Sequence, residues 1–188
     1  MKRFVIVFAL IAIIATGTAF ADHPKGFGIG IVGSYSNWGF GGTGGGLSLK
    51  IPDVPIFWAI NASVGENYLG FGVTGDCYTI DKKLGGPFHW FMGLGGYVNY
   101  YSYNEKYNYV IGTADYSYSW IYAGGRLPIG LSFQPIPLLE IFIDIAPSIG
   151  VGVYSGYEVE GTGYNRKEDG SVGLGWGAPI ELGIRLWF

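Results

Sequence analysis

A single cysteine, Cys77, in 188 residues rules out an internal disulfide. Charge is scarce: Asp, Glu, Lys and Arg make up 13% of the chain, and the formal net charge is −3. Without a basic excess there is nothing to hold a phosphate backbone, so nucleic acid is not an expected partner. The only histidines are His23 and His89, with no clustered acids or thiols beside them, so neither a metal nor another cofactor is expected. Beyond Ala21 no stretch reaches 18 consecutive apolar residues, which excludes a transmembrane helix there.

What is abundant is glycine, at 34 positions, and aromatic residues, at 18% with 15 Tyr and 6 Trp. Helices tolerate neither that much glycine nor that many ring side chains, whereas pleated sheets favour aromatic and β-branched residues. The length suits one all-β domain. Met1 to Ala21 carries the marks of an export signal: Lys2 and Arg3, then apolar Phe4 to Ala15, then the small-x-small site Ala19-Phe20-Ala21. The organisation expected is a cleaved signal over 1–21 and one domain over 22–188. An uncleaved anchor is the alternative, but Phe4 to Ala15 falls well short of the ~20 residues a spanning helix needs. Loss of the signal leaves nine of the 11 basic residues against 14 acidic ones, a mature net charge of −5.

Along 22–188, stretches of about ten residues alternate with period two, as half-buried strands do. Eight are expected: Gly26 to Tyr35, Gly45 to Ile51, Ile56 to Val64, Leu69 to Ile80, Phe88 to Tyr100, Trp120 to Gln134, Leu138 to Tyr154 and Val172 to Phe188. One face of each is Ile, Leu, Val or aromatic, and the other is mostly Gly and Ser. A soluble sandwich would need Lys, Glu and Thr on its second face. A wide apolar face opposite a small-residue face fits an eight-stranded antiparallel up-and-down transmembrane barrel, lipid outside and a crowded lumen of small or hydrogen-bonding groups inside.

The connections set the orientation. Pro52 to Pro55, Asp81 to Pro87 and Pro135 to Pro137 are short, whereas Ser36 to Gly44, Tyr101 to Ser119 and Ser155 to Ser171 are longer and polar; Gly65-Glu66-Asn67 breaks the trend. Short turns on the periplasmic side and long loops outside put both termini in the periplasm of a two-membrane bacterium. Phe27, Trp58, Trp90, Phe133 and Phe188 near one end and Tyr35, Tyr100 and Trp176 near the other form the expected pair of aromatic girdles. Pro128, Pro147 and Pro179 interrupt three strands and are read as bulges or register breaks.

Glu181-Leu182-Gly183-Ile184-Arg185-Leu186-Trp187-Phe188 closes the chain, and its Glu181, Gly183, Leu186 and Phe188 resemble the C-terminal strand signal read by the barrel-insertion machinery. More broadly the chain resembles the small OmpA/OmpX-like eight-stranded outer-membrane barrels, in particular a family of uncharacterised bacterial outer-membrane barrels. The resemblance rests on Gly26 to Gly30, Arg126 to Ser132, Leu139 to Pro147 and Gly183 to Leu186. It implies fold, outer-membrane location and lipid as a partner, and it implies no activity.

Ionisable residues on the glycine face are the sharpest constellation. Arg126, Asp144 and Glu181 are expected at similar heights and Glu140 and Arg185 in a lower tier, with Lys50 and Asp76 as outer members of one ion-pair network plugging the lumen. Gly28-Ile29-Gly30-Ile31-Val32-Gly33 has the G-x-G-x-x-G spelling but no preceding strand and no following helix, and Asn61-Ala62-Ser63 lies within a strand, so neither carries function. No Ser-His pair with an orienting acid stands out, which argues against an enzyme. Nine tyrosines between Tyr97 and Tyr122 suit either an adaptable recognition surface or an interface belt. The expectation is a non-enzymatic outer-membrane barrel with a structural or surface-interaction role and an unidentified surface ligand; a narrow pore and a lipid-modifying enzyme are the alternatives.

Overall fold

The computed structural model describes residues 20–21, 24–36, 43–109, 112–161, 164–167 and 170–188, with side chains over 24–36, 43–104, 117–155 and 170–188. Eight strand paths close on themselves: β1 Gly28–Tyr35, β2 Gly44–Lys50, β3 Phe57–Val64, β4 Tyr68–Gly85, β5 Phe88–Tyr109, β6 Gly112–Arg126 with Ile129–Ile136, β7 Leu139–Ile145 with Ser148–Gly161, and β8 Ser171–Gly177 with Ile180–Trp187. Each pairs antiparallel with its neighbour in sequence, and β8 returns to β1 through Trp187↔Gly28 to Ile180↔Tyr35. Closure leaves the barrel wall without an edge strand, the condition for sheet surrounded by lipid. No helix is present among the described residues.

Alternation works as the sequence implies. From Ile180 to Trp187 every second residue is buried, Glu181, Gly183, Arg185 and Trp187 pointing in and Ile180, Leu182, Ile184 and Leu186 pointing out. Residues 1–19 and 22–23, and with them the cleavage site before Asp22 and His23, lie outside the described residues; Phe20–Ala21 forms a short parallel pair with Ile80–Asp81.

The wall is uneven. β1, β2 and β3 have 8, 7 and 8 residues, but β4 has 18 and β5 has 22. The segments 101–119 and 155–171, expected as loops, are largely strand: β5 and β6 stay paired from Gly95↔Arg126 up to Tyr109↔Gly112, and the top of β7 pairs both with β6 and with the short strand Tyr164–Lys167. Tyr is a strong strand former, and cross-strand ring pairs reward continued pairing, so the polarity of the segment was a poor guide to its backbone. At the other end β4 also outlasts the expected turn at Asp81, reversing only at Gly85 and Gly86, whose φ values of 150° and 56° suit glycine.

The prolines do not break register. Arg126 pairs with Ser148 above the interruption and Ile129 with Ile145 below it, so β6 and β7 advance three residues each across the gap. Gly177↔Ser148 and Ile180↔Ile145 show the same for β8. Each proline still accepts: Gly93 N–H donates to Pro128 O, Leu127 N–H to Pro147 O and Ala146 N–H to Pro179 O, all at 2.9 Å. Only the return bond of each pair is lost, because proline has no N–H. The Ser148 hydroxyl compensates one of them, donating to Ala146 O at 2.7 Å.

Candidate functional site

Period two turns the charged residues of the wall inward, and the lumen stacks them in layers. At the lower end Phe57, Tyr78 and Phe91 form a parallel stack with centroids 4.2 and 4.4 Å apart, and Trp187 meets Phe57 edge-on. The Arg185 guanidinium lies among rings, 4.8 Å from Phe57, 4.6 Å from Phe142 and 5.6 Å from Trp187. It donates to Glu140 Oε2 at 2.7 Å and through Nε and Nη2 to Ser48 Oγ, while Trp187 Nε1–H donates to the same Glu140 oxygen at 3.0 Å. Glu140 is wholly buried and Arg185 is 2% exposed. A dry ion pair of this kind holds only when hydrogen bonds take up its lone pairs and protons, the part that Ser48 and Trp187 play here.

One layer higher, Arg126 donates from Nη1 and Nη2 to both oxygens of Glu181 at 2.9 and 2.7 Å, a fork-to-fork pair, and its Nε lies 3.1 Å from Asp76 Oδ1. The structure thus brings Arg126 to Glu181 and Arg185 to Glu140, and it makes Asp76 a full member of the upper layer. Two assignments need correction. Asp144 stands opposite Glu181 in register, yet its Oδ1 finds no donor, because Arg126 is already committed to Glu181 and Asp76. Lys50 is outside the network: at the lower rim it donates to Ile51 O at 2.9 Å and sits over the Phe57 ring.

The interior is also not restricted to small groups. Phe57, Phe91, Phe142, Trp187 and Tyr97 are buried in it, and the inward glycines are what make room for them. A Cβ on Gly183 would overlap the Phe142 ring, and one on Gly70 would run into Tyr101. The signal for these inner aromatics was present in the sequence: each is one residue out of phase with the apolar stripe of its strand.

Near the lower end His89 Nδ1 is 3.6 Å from Asp81 Oδ1, and His89 pairs in register with Ser132. Ser132 is 1% exposed and its Oγ makes no hydrogen bond, so this trio lacks both the serine-to-base contact and the access that nucleophilic catalysis needs.

Above the Arg126 layer the lumen widens into a cup of about 60 Å³ lined by residues such as Ser63, Thr74, Tyr97, Asn99, Tyr101 and Ser148, with Arg126 and Glu181 as its floor. Over the cup stands the tall wall, whose inward side carries a ladder of rings: Tyr103 stacks on Tyr118 at 4.8 Å, Tyr118 on Trp120 at 5.2 Å and Trp120 on Tyr101 at 5.6 Å, with Tyr122 and Tyr154 at the sides. The side chains of Tyr107, Tyr109 and Tyr116 lie outside the described residues.

The girdle residues all turn outward: Phe27, Tyr35, Tyr100, Trp176 and Phe188 are exposed, and Trp58, Trp90 and Phe133 are partly so. Of the C-terminal set, Glu181 and Gly183 point in and Leu186 and Phe188 point out, and Phe188 exchanges backbone hydrogen bonds with Phe27 at 2.7 and 3.0 Å.

No protein-family model and no curated protein matches the chain. Among solved structures, it is similar to the crystal structure of a major outer membrane protein from Thermus thermophilus, with 16% sequence identity and a TM-score of 0.38, over 82% of this chain and 98% of that one.

Proposed function

We propose that this protein is an integral outer-membrane barrel, closed to flow, that anchors a tyrosine-rich wall on the cell exterior and acts there by contact, without catalysis. The observation that carries the reading is the inside-out distribution of polarity around the full circumference. Ile31, Leu47, Ile60, Phe71, Val98, Ile121, Ile143 and Leu182, one on each of the eight strands, are all between 47% and 63% exposed, while Asp76, Arg126, Glu140, Asp144, Glu181 and Arg185 are all buried. An unbroken apolar belt of that extent is not sustained in water, and it matches a hydrocarbon surround. The proposal takes the barrel as OmpA/OmpX-like, exported through the segment ending at Ala21 and inserted by way of its C-terminal strand; termini in the periplasm follow from placing the tall wall of β5 and β6 on the exterior side.

The charged and aromatic layers support a non-conducting lumen: among the described residues, the cup above Arg126 measures about 60 Å³ and the space between the two charged layers about 20 Å³. Folding the mature chain into vesicles of lipids with brominated acyl chains tests the belt: tryptophan emission should be quenched strongly, and the folded band should shift on boiling in detergent gels. A chain that stays monomeric in detergent-free buffer, unquenched by those lipids, sinks the proposal. Planar-bilayer recording should be silent, and cleavage on intact cells by a non-penetrating protease should fall within 104–117.

A further inference from the structure

The apolar belt is not uniform around the barrel. Most of its outward positions carry Ile, Leu, Val or an aromatic ring, but one row of cross-strand partners runs Trp58↔Gly75, Gly75↔Gly96, Gly96↔Gly125, Gly125↔Ile149 and Ile149↔Trp176. Three adjacent strands, β4, β5 and β6, therefore face outward with bare backbone along that row. The row beneath it, Cys77, Leu94, Leu127 and Pro147, forms one bank, and Val73, Val98 and Ala123 form the other. Between them lies a groove of about 450 Å³, against about 60 Å³ for the cup in the lumen.

The wall itself does not require glycine on this row. A Cβ on Gly96 would come no nearer than 3.5 Å to the Gly124 carbonyl oxygen, and one on Gly125 no nearer than 3.8 Å to that of Gly95. Neither residue has a positive φ. Their inward neighbours differ: a Cβ on Gly95 would strike the Asp76 carboxylate, and one on Gly124 the Ile149 carbonyl oxygen. Gly95 and Gly124 thus make room inside the barrel, whereas Gly96 and Gly125 make room outside it.

We infer that the groove seats one acyl chain of a membrane phospholipid, laid along the glycine row. The row joins Trp58 of one girdle to Trp176 of the other, so the groove climbs through the surface that hydrocarbon covers, and the inference rests on that belt as proposed above. Its five strand spacings of about 4.8 Å give a length of about 24 Å, enough to bed a chain that reaches through one leaflet of about 15 Å. Within a bilayer the hydrophobic effect does not drive association, and a partner is held by van der Waals packing against small residues. A chain lying on bare backbone between two banks gains contacts on three sides, where elsewhere on the belt it touches one. A second barrel fits less well, because a two-fold contact would set groove against groove and leave both unfilled.

The test folds the mature chain into vesicles of phosphatidylethanolamine and phosphatidylglycerol doped with a phospholipid that carries a diazirine in its acyl chain. After irradiation, adducts mapped by peptide mass spectrometry should concentrate at Leu94, Leu127 and Ile149 and be sparse at Ile31 and Leu47, on the opposite side of the barrel. Filling the groove with Gly96→Leu and Gly125→Leu together should lower the adducts at those sites roughly tenfold, whereas Gly33→Leu, at an outward glycine on β1, should leave them unchanged. Native mass spectrometry should find one phospholipid retained per barrel after release from detergent, and none on the double variant. Adducts spread evenly around the belt overturn the inference, a result that needs no variant to fold, and so does retention that the filled groove leaves unaltered. Dimers joined through Cys77 by a bis-maleimide would put a second copy in the groove and overturn it as well. Loss of tryptophan quenching by brominated lipid would sink the belt itself; quenching with evenly spread adducts would sink the groove alone.

Discussion

The two ends of the lumen solve one problem, the polar inside of a narrow barrel, by opposite means. Below, Arg185 is enclosed by Phe57, Phe142 and Trp187, and Glu140 receives two donors, so charge is buried dry and matched. Above, Arg126 forks onto both oxygens of Glu181, but its layer borders an open cup lined by hydroxyl and amide side chains. From this contrast the lower layer emerges as the one that holds the barrel together, and the upper layer as the floor of that cup.

Replacing Arg185 should disturb this division most severely. Arg185→Met leaves the fully buried Glu140 uncompensated and should cost about 3–5 kcal/mol, measured as a shift of the urea midpoint in lipid vesicles. Arg126→Met should cost less, about 2–3 kcal/mol, since Glu181 lines the cup and water entering there can solvate it. Equal losses for the two variants would show that the upper layer is as dry as the lower. Gly183→Ala, which sets a methyl group against Phe142 within the lower layer, should cost about 1–3 kcal/mol. Trp120→Ala removes the centre of the ring ladder and should lower stability by only about 1 kcal/mol, while speeding proteolysis within 104–117; deleting Tyr103 to Asp115 should leave the heat-modifiable band in place. The smallest effect is expected from Pro147→Ala, which returns an N–H opposite Leu127 O without moving the register and should change the midpoint by no more than about 0.5 kcal/mol.

The barrel strands were legible because an apolar stripe at period two is a local property, readable from Ile180 to Leu186 without reference to any other strand. The height of β5 and β6 was not, because polar Tyr, Ser and Asn residues look the same in a loop as on an aromatic ladder until their cross-strand partners are known. Pro128, Pro147 and Pro179 misled for a related reason: a missing donor is a local fact, but the carbonyl bonds that preserve register come from Gly93, Leu127 and Ala146 on adjacent strands. Asp76 and Lys50 looked alike as outer members of the charge network, and only the curl of the wall separates them, carrying Asp76 to Arg126 and leaving Lys50 at the rim.

Alternation along each strand was enough to say which side chains turn outward and which turn in, since successive Cβ atoms must point to opposite faces. It was also enough to say that the barrel would carry its charges inside. Which charges meet depends on closure and stagger: Arg126 and Glu181 are 55 residues apart and lie on strands that are not hydrogen-bonded neighbours, and they touch because the sheet curls across the lumen. Distance along the chain holds no information about that curl, so neither the pairing of Arg126 nor the cup above it could be read before the strands were joined.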